Sequence, residues 1–201
     1  MISAAIHGFI LAFGLILPLG VQNVFVFNQG ALQPHWPKAL PVVITAALCD
    51  TLLISLAVLG ISAVVIEISF LKIALSVIGI AFLLYMGYVT WKSKPSTEEN
   101  SVQLFSAGKQ ITFAASVSLL NPHAIMDTIG VIGTSSLTYT GIEKGVFMIV
   151  CIFVSWLWFF GLSIVGRLVG KLDQSGKFIH TLNKISAVIM WGTAVYLVFS
   201  L

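Results

Sequence analysis

The chain has 201 residues, 58% of them apolar and 8% charged, with ten basic and seven acidic side chains giving a net charge of +3. Ordinary soluble domains carry about 25% charged residues, so seventeen charges cannot cover the surface of a soluble fold of this size. A mean hydropathy of +1.05 points the same way. The basic residues are scattered through connections and do not form a stripe, which excludes a nucleic-acid surface. An integral membrane protein remains.

A helix needs about 20 predominantly apolar residues to cross a hydrocarbon core. Six stretches meet that need: Ile2 to Phe27, Ala39 to Ile66, Phe70 to Trp91, Ile111 to Gly133, Gly145 to Gly166, and Thr181 to Leu201. Strand alternation is absent, and a lipid-exposed backbone must satisfy its own hydrogen bonds, so the expected fold is an all-α bundle of six transmembrane helices. The hydrophilic run Lys92 to Asn100 divides the chain nearly in half. The expected organisation is therefore a three-helix repeat over 1–91, a cytoplasmic linker over 92–110 and a second three-helix repeat over 111–201, forming one integral domain.

The connections after the first, third and fifth spans carry Lys38, Lys92, Lys94, Lys109, Arg167, Lys171, Lys177 and Lys184, whereas the opposite side carries only Lys72 and Lys144. Cytoplasmic loops are the ones enriched in Lys and Arg, so both termini are expected outside the cytoplasm. A shift of 104 residues, the difference between 18 and 122, lays Leu15 on Leu119, Pro18 on Pro122 and Asn23 on Asp127. Three helices per half turn the second half upside down, the inverted-repeat plan of many secondary transporters.

The first span contains Leu17-Pro18-Leu19-Gly20-Val21-Gln22-Asn23. Pro18 has no amide hydrogen to give the carbonyl of Gly14, and its ring clashes there, so the helix should kink or open. Pro122, beside Asn121, does the same to Ser118 in the fourth span. Opened helices expose amides and carbonyls that must face protein or a wet cavity, and they offer a ligand one positive and one negative helix end. Two such breaks at matching depth, flanked by Pro18, Gly20, Gln22 and Asn23 in one half and by Asn121, Pro122 and Asp127 in the other, read as a binding site.

Asp50 and Asp127 are the sharpest signals. An aspartate at mid-membrane costs about 2.5–3.5 kcal/mol on insertion scales, and no lysine or arginine shares its depth. A bundle-facing carboxyl bonded to a neighbouring helix is one account. The other is that the positive partner, a cationic substrate or a proton, arrives from solution. Asp127, beside the Pro122 break, is the favoured substrate group and Asp50 the favoured proton carrier, although the spacing permits the reverse.

His123 follows Pro122 and is a second-rank proton shuttle. Trp156 shares a helix face with Phe160 and is a secondary candidate for stacking on a cationic group, with plain packing the commoner use. Glu143 and Lys144 sit at a helix end and read as solvated. Gly60, Gly79, Gly87, Gly161 and Gly192 read as close helix approaches. No metal-ligand spacing or cofactor motif is present, so no cofactor and no metal is expected.

These segments resemble a known family. Leu17 to Gly30 is similar to the first-helix signature of the basic amino-acid exporters, the LysE/ArgO-type branch of the LysE superfamily, and Leu120-Asn121-Pro122-His123 with Asp127-Thr128 resembles their fourth-helix signature. Cys49-Asp50 and Trp156-Leu157-Trp158-Phe159-Phe160-Gly161-Leu162 also fall where that family has similar segments. One departure is Val21, where close relatives often carry a second proline. The resemblance implies a non-enzymatic, proton-driven exporter of L-arginine or L-lysine in the bacterial inner membrane. Its expected partners are the cationic amino acid, protons and lipid, with a homodimer as an admissible assembly. The alternatives are export of neutral amino acids or other small cations. A further alternative is a membrane thiol oxidoreductase using Cys49 and Cys151, which lie in corresponding spans of the two halves.

Overall fold

The structure is a computed structural model that describes residues 1–17, 20–60, 105–120, 125, 128–172 and 177–199, with isolated positions between Ile73 and Lys92. Within those residues every regular element is a helix, and there are no strands. α1 spans Ile2–Ile16 and α2 spans Val21–Leu32. A 3₁₀ turn at Trp36–Ala39 leads into α3, Leu40–Val58. α4 covers Ala107–Leu119, a π-helical stretch covers Thr128–Gly133, α5 covers Gly141–Leu172 and α6 covers Lys177–Phe199.

The first predicted span, Ile2 to Phe27, is not one straight helix. α1 ends at Ile16, and α2 leaves at 79° to it. The break lies between Ile16 and Val21, around Pro18, whose nitrogen has no hydrogen to donate, and Val21 opens α2. The fourth predicted span is likewise interrupted: α4 starts at Ala107, four residues earlier than expected, and stops at Leu119, just before Asn121. Trp36–Val58 and Gly141–Leu172 are each long and apolar enough to cross a membrane, and the bent α1–α2 pair qualifies as one further broken span. The 32 residues of α5 extend for about 48 Å, well beyond a hydrocarbon core of roughly 30 Å. Most of the third predicted span, Phe70 to Trp91, lies outside the described residues.

α5 is the central column. It packs along α1, α2 and α3, and its buried positions Phe147, Cys151, Ser155, Phe159 and Ser163 recur every fourth residue. The opposite stripe of Ile149, Phe153, Leu157, Ile164 and Leu168 is exposed and apolar, suited to lipid. α2 lies against α5 with almost no side chain between them. A Cβ added at Gly30 would collide with the Ser163 carbonyl, one at Gly166 with the Phe27 carbonyl, and one at Gly170 with the Ala31 carbonyl. Small residues permit this backbone approach, on which membrane helices depend because lipid is as apolar as a leucine side chain.

The close-approach glycines are therefore not those expected from the sequence. A Cβ at Gly60, Gly161 or Gly192 meets nothing within 4 Å, and only Gly87, tight against the Trp191 ring, fits the expectation. Gly79 lies outside the described residues. Gly60 serves a different purpose. With φ of +79° it ends α3 in the left-handed region, its amide bonding the Ala57 carbonyl at 3.2 Å.

Two apolar clusters form the core. One joins Val42, Val43, Ala46 and Ala47 of α3 to Phe25, Phe113, Val117 and Phe159. The other joins Ile54 and Val58 of α3 to Ala4, Ala12, Phe147, Cys151 and Val154. Asp50 falls between them along α3, as Ser155 does along α5.

The two ends of the bundle are also defined. At one end, Gln110 donates to the carbonyls of Lys38 and Phe105 at 2.9 Å each, and Arg167 donates to the carbonyls of Gln33 and Pro34 at 2.6 Å each. At the other end, the Met1 amino group pairs with Glu143, and His7 meets the Tyr139 hydroxyl at 2.9 Å. Lys38, Lys109 and Arg167 thus share an end, away from Glu143.

Candidate functional site

A polar layer sits between the two apolar clusters, where α2 begins. Its centre is Asp50. The Ser155 hydroxyl donates to Asp50 Oδ2 at 2.8 Å, and the Gln22 amide reaches Oδ1 at 3.4 Å. One residue along each helix, the Trp156 indole donates to Thr51 Oγ1 at 3.0 Å. α3 and α5 are therefore pinned by two consecutive side-chain pairs. Among the described residues the only ion pair is that of Met1 with Glu143, and none of the described cations pairs with Asp50.

Asn23 repairs the helix break. Its Nδ2 donates to the Ile16 carbonyl at 2.6 Å, a group that a continuous helix would have bonded through the amide of residue 20. Its Oδ1 accepts from the Trp158 indole at 3.2 Å. One buried amide thus joins the end of α1, the start of α2 and the middle of α5. Gly20 caps α2 with extended backbone and no side chain, so the first turn of α2, which carries Gln22, begins without a side-chain cap. A helix start of this kind favours negative charge.

The structure brings Gly20, Gln22, Asn23, Asp50 and Trp156 into this one layer. Trp156 stacks on Phe160 with centroids 6.1 Å apart, and its indole N–H is engaged by Thr51. Pro18, Asn121, Pro122, His123 and Asp127 lie outside the described residues. α4 nevertheless carries Leu119 to the edge of the layer, since buried Ser118 neighbours Cys49. Both cysteines are free and buried, and Cys151 donates to the Gly8 carbonyl at 3.5 Å.

Sequence reasoning missed Ser155, Thr51 and Trp158 as members of the layer. The signal for Ser155 was available in its register: Cys151, Ser155, Phe159 and Ser163 mark the inner stripe of α5, and Ser155 is the hydroxyl on that stripe nearest the middle of the span.

A polar layer thus lies between two apolar clusters, where an acid without an ion-pair partner among the described residues meets the side chain of Gln22 from the first turn of α2. The chain belongs to the LysE type translocator family, which it matches over residues 13–201. It is 58% identical over 199 residues to YisU of Bacillus subtilis strain 168, a candidate amino-acid transporter, covering 99% of this chain and 90% of that one. It is 34% identical over 195 residues to the arginine exporter ArgO of Salmonella typhimurium strain LT2, covering 95% of this chain and 91% of that one. ArgO of Salmonella paratyphi A matches to the same extent. No solved structure matches the chain.

Proposed function

We propose that this protein exports basic L-amino acids, arginine and lysine, from the bacterial cytoplasm in exchange for protons. The observation that carries the proposal is Asp50, held by two neutral donors at 2.8 and 3.4 Å between two apolar clusters, with no ion-pair partner among the described residues. A carboxylate placed there is expensive without a cation or a proton. A basic amino acid supplies cations, and its carboxylate suits the uncapped start of α2. The arginine exporters among the relatives favour this class of substrate over a neutral one.

In this reading the binding region comprises Pro18, Gly20, Gln22, Asn23 and Asp50 from the first half and Asn121, Pro122 and Asp127 from the second, with His123 and Trp156 secondary. The halves 1–91 and 111–201 are inverted three-helix repeats joined by 92–110, and they rock about the site to alternate access. The end that carries Lys38, Lys109 and Arg167 faces the cytoplasm, an orientation supported by the excess of basic loop residues on that side.

Purified protein in liposomes tests the proposal through exchange of labelled arginine, lysine and threonine. Exchange of arginine and lysine is expected. Movement of threonine with neither basic amino acid would overturn the proposal in favour of a neutral amino-acid exporter.

A further inference from the structure

The geometry points to Asp50 as the group that binds the α-ammonium of the transported amino acid, with Ser155 as the residue that positions it, and this inference rests on the proposed export of amino acids. The two oxygens of Asp50 are not equivalent. Oδ2 is held at 2.8 Å by Ser155, which is 3% exposed and belongs to α5, the central column. Among the described residues Oδ1 is reached by Gln22 alone, at 3.4 Å, from the first turn of α2. One oxygen is fixed, and the other has a long contact that a better donor displaces.

Ser155 already takes one lone pair of Oδ2, so a donor pair using both oxygens must share Oδ2 with the hydroxyl, whereas a single donor on Oδ1 need not. A guanidinium makes its strongest contact as a fork, two parallel N–H···O bonds that use both oxygens of a carboxylate. An ammonium is a compact point charge and needs only one. Asp50 with its Ser155 clamp therefore suits an ammonium better than a fork.

Placement along the substrate agrees. In every amino acid the α-ammonium and α-carboxylate share one carbon, whereas the side-chain cation is at the far end. Asp50 and the start of α2 belong to the same layer, linked by the side chain of Gln22 from that first turn. An ammonium on Oδ1 sets the adjoining carboxylate toward the α2 amides, where the helix dipole favours it. The side chain then points away from Asp50, and recognition of its charge falls to other residues. Asp50 reads what all amino acids share, and not what makes arginine basic.

The test compares competitors of labelled arginine on purified protein in liposomes: arginine, desamino-arginine, which lacks only the α-ammonium, and citrulline, which lacks only the side-chain charge. Wild-type protein is expected to prefer arginine over desamino-arginine by about tenfold or more, the worth of one charge-assisted hydrogen bond. In Asp50→Asn that preference should fall toward one, while the preference for arginine over citrulline stays at its wild-type value. Ser155→Ala gives a second, milder arm. It should weaken arginine and citrulline by a common factor of about three- to tenfold and leave desamino-arginine unchanged. Ser155→Thr, which keeps the hydroxyl, should restore binding.

The inference is overturned if Asp50→Asn loses discrimination against citrulline but keeps it against desamino-arginine, or if neither ratio moves. It is also overturned if Ser155→Ala changes the arginine-to-citrulline ratio. If wild-type protein moves threonine and no basic amino acid, the proposed substrate is wrong. The same comparison is then made with threonine and desamino-threonine, because α-ammonium recognition does not depend on the side chain.

Discussion

Asn23→Ala removes one amide that serves three helices, and its cost follows from what is left behind. The Ile16 carbonyl loses its donor at 2.6 Å, and the Trp158 indole loses its acceptor at 3.2 Å. Each of these part-buried groups, left without its partner, costs up to about 1–3 kcal/mol by measurements in soluble proteins. Side-chain hydrogen bonds inside membrane proteins average nearer 0.6 kcal/mol, because the unfolded chain in lipid also finds partners. The membrane figure sets the lower bound and the soluble figure the upper, so the loss of two bonds in Asn23→Ala should destabilise the protein by about 1–6 kcal/mol. Reversible unfolding in mixed detergent micelles measures this. Asn23→Asp separates the two bonds: the carboxylate still accepts from Trp158 but cannot donate to Ile16, so it should be at least as damaging as alanine. In a double-mutant cycle, Asn23→Ala and Trp158→Phe should show a coupling of about 0.5 kcal/mol or more. Wild-type stability in Asn23→Ala, or strict additivity in the cycle, would refute the bridging role of this amide.

Three further outcomes follow from the packing. Gly166→Ala should destabilise the protein by about 1–3 kcal/mol in the same unfolding measurement, because its Cβ would strike the Phe27 backbone carbonyl and must push α2 off α5. Gly60→Ala should cost only about 1 kcal/mol, since space is open and the penalty is the φ of +79° alone; equal losses at the two positions would contradict this distinction. A variant with Ala at both Cys49 and Cys151 should retain arginine exchange within about twofold, since both thiols are buried and that of Cys151 donates to the Gly8 carbonyl, outside the polar layer; loss of all activity with normal folding would revive a thiol-based mechanism.

Much of this architecture is legible in the sequence because the bilayer narrows the choices. Apolar length marks Trp36–Val58, Gly141–Leu172 and the bent α1–α2 pair as spans, and Pro18 and Asn121-Pro122 stand just beyond where α1 and α4 stop. The acid at position 50 declares itself through its cost in lipid. What the sequence hides is pairing. Nothing in Asn23 says that it bonds backwards to Ile16 and across to Trp158, because both partners depend on the angle between α1 and α2. Ser155 and Thr51 look like ordinary hydroxyls until α3 and α5 are aligned. The glycines show the same limit: glycine-rich spacing suggests close packing, but only the helix register separates Gly30 and Gly166, which touch a neighbouring backbone, from Gly161 and Gly192, which do not.

The most direct test of the central claim is driven arginine accumulation by purified protein in liposomes, with and without an imposed pH gradient, for wild type and Asp50→Asn. Wild-type protein should accumulate arginine only against a proton gradient of the correct sign, and Asp50→Asn should lower arginine exchange by about tenfold or more. Gradient-driven arginine accumulation in Asp50→Asn equal to that of wild type would make Asp50 a structural carboxyl and contradict the account.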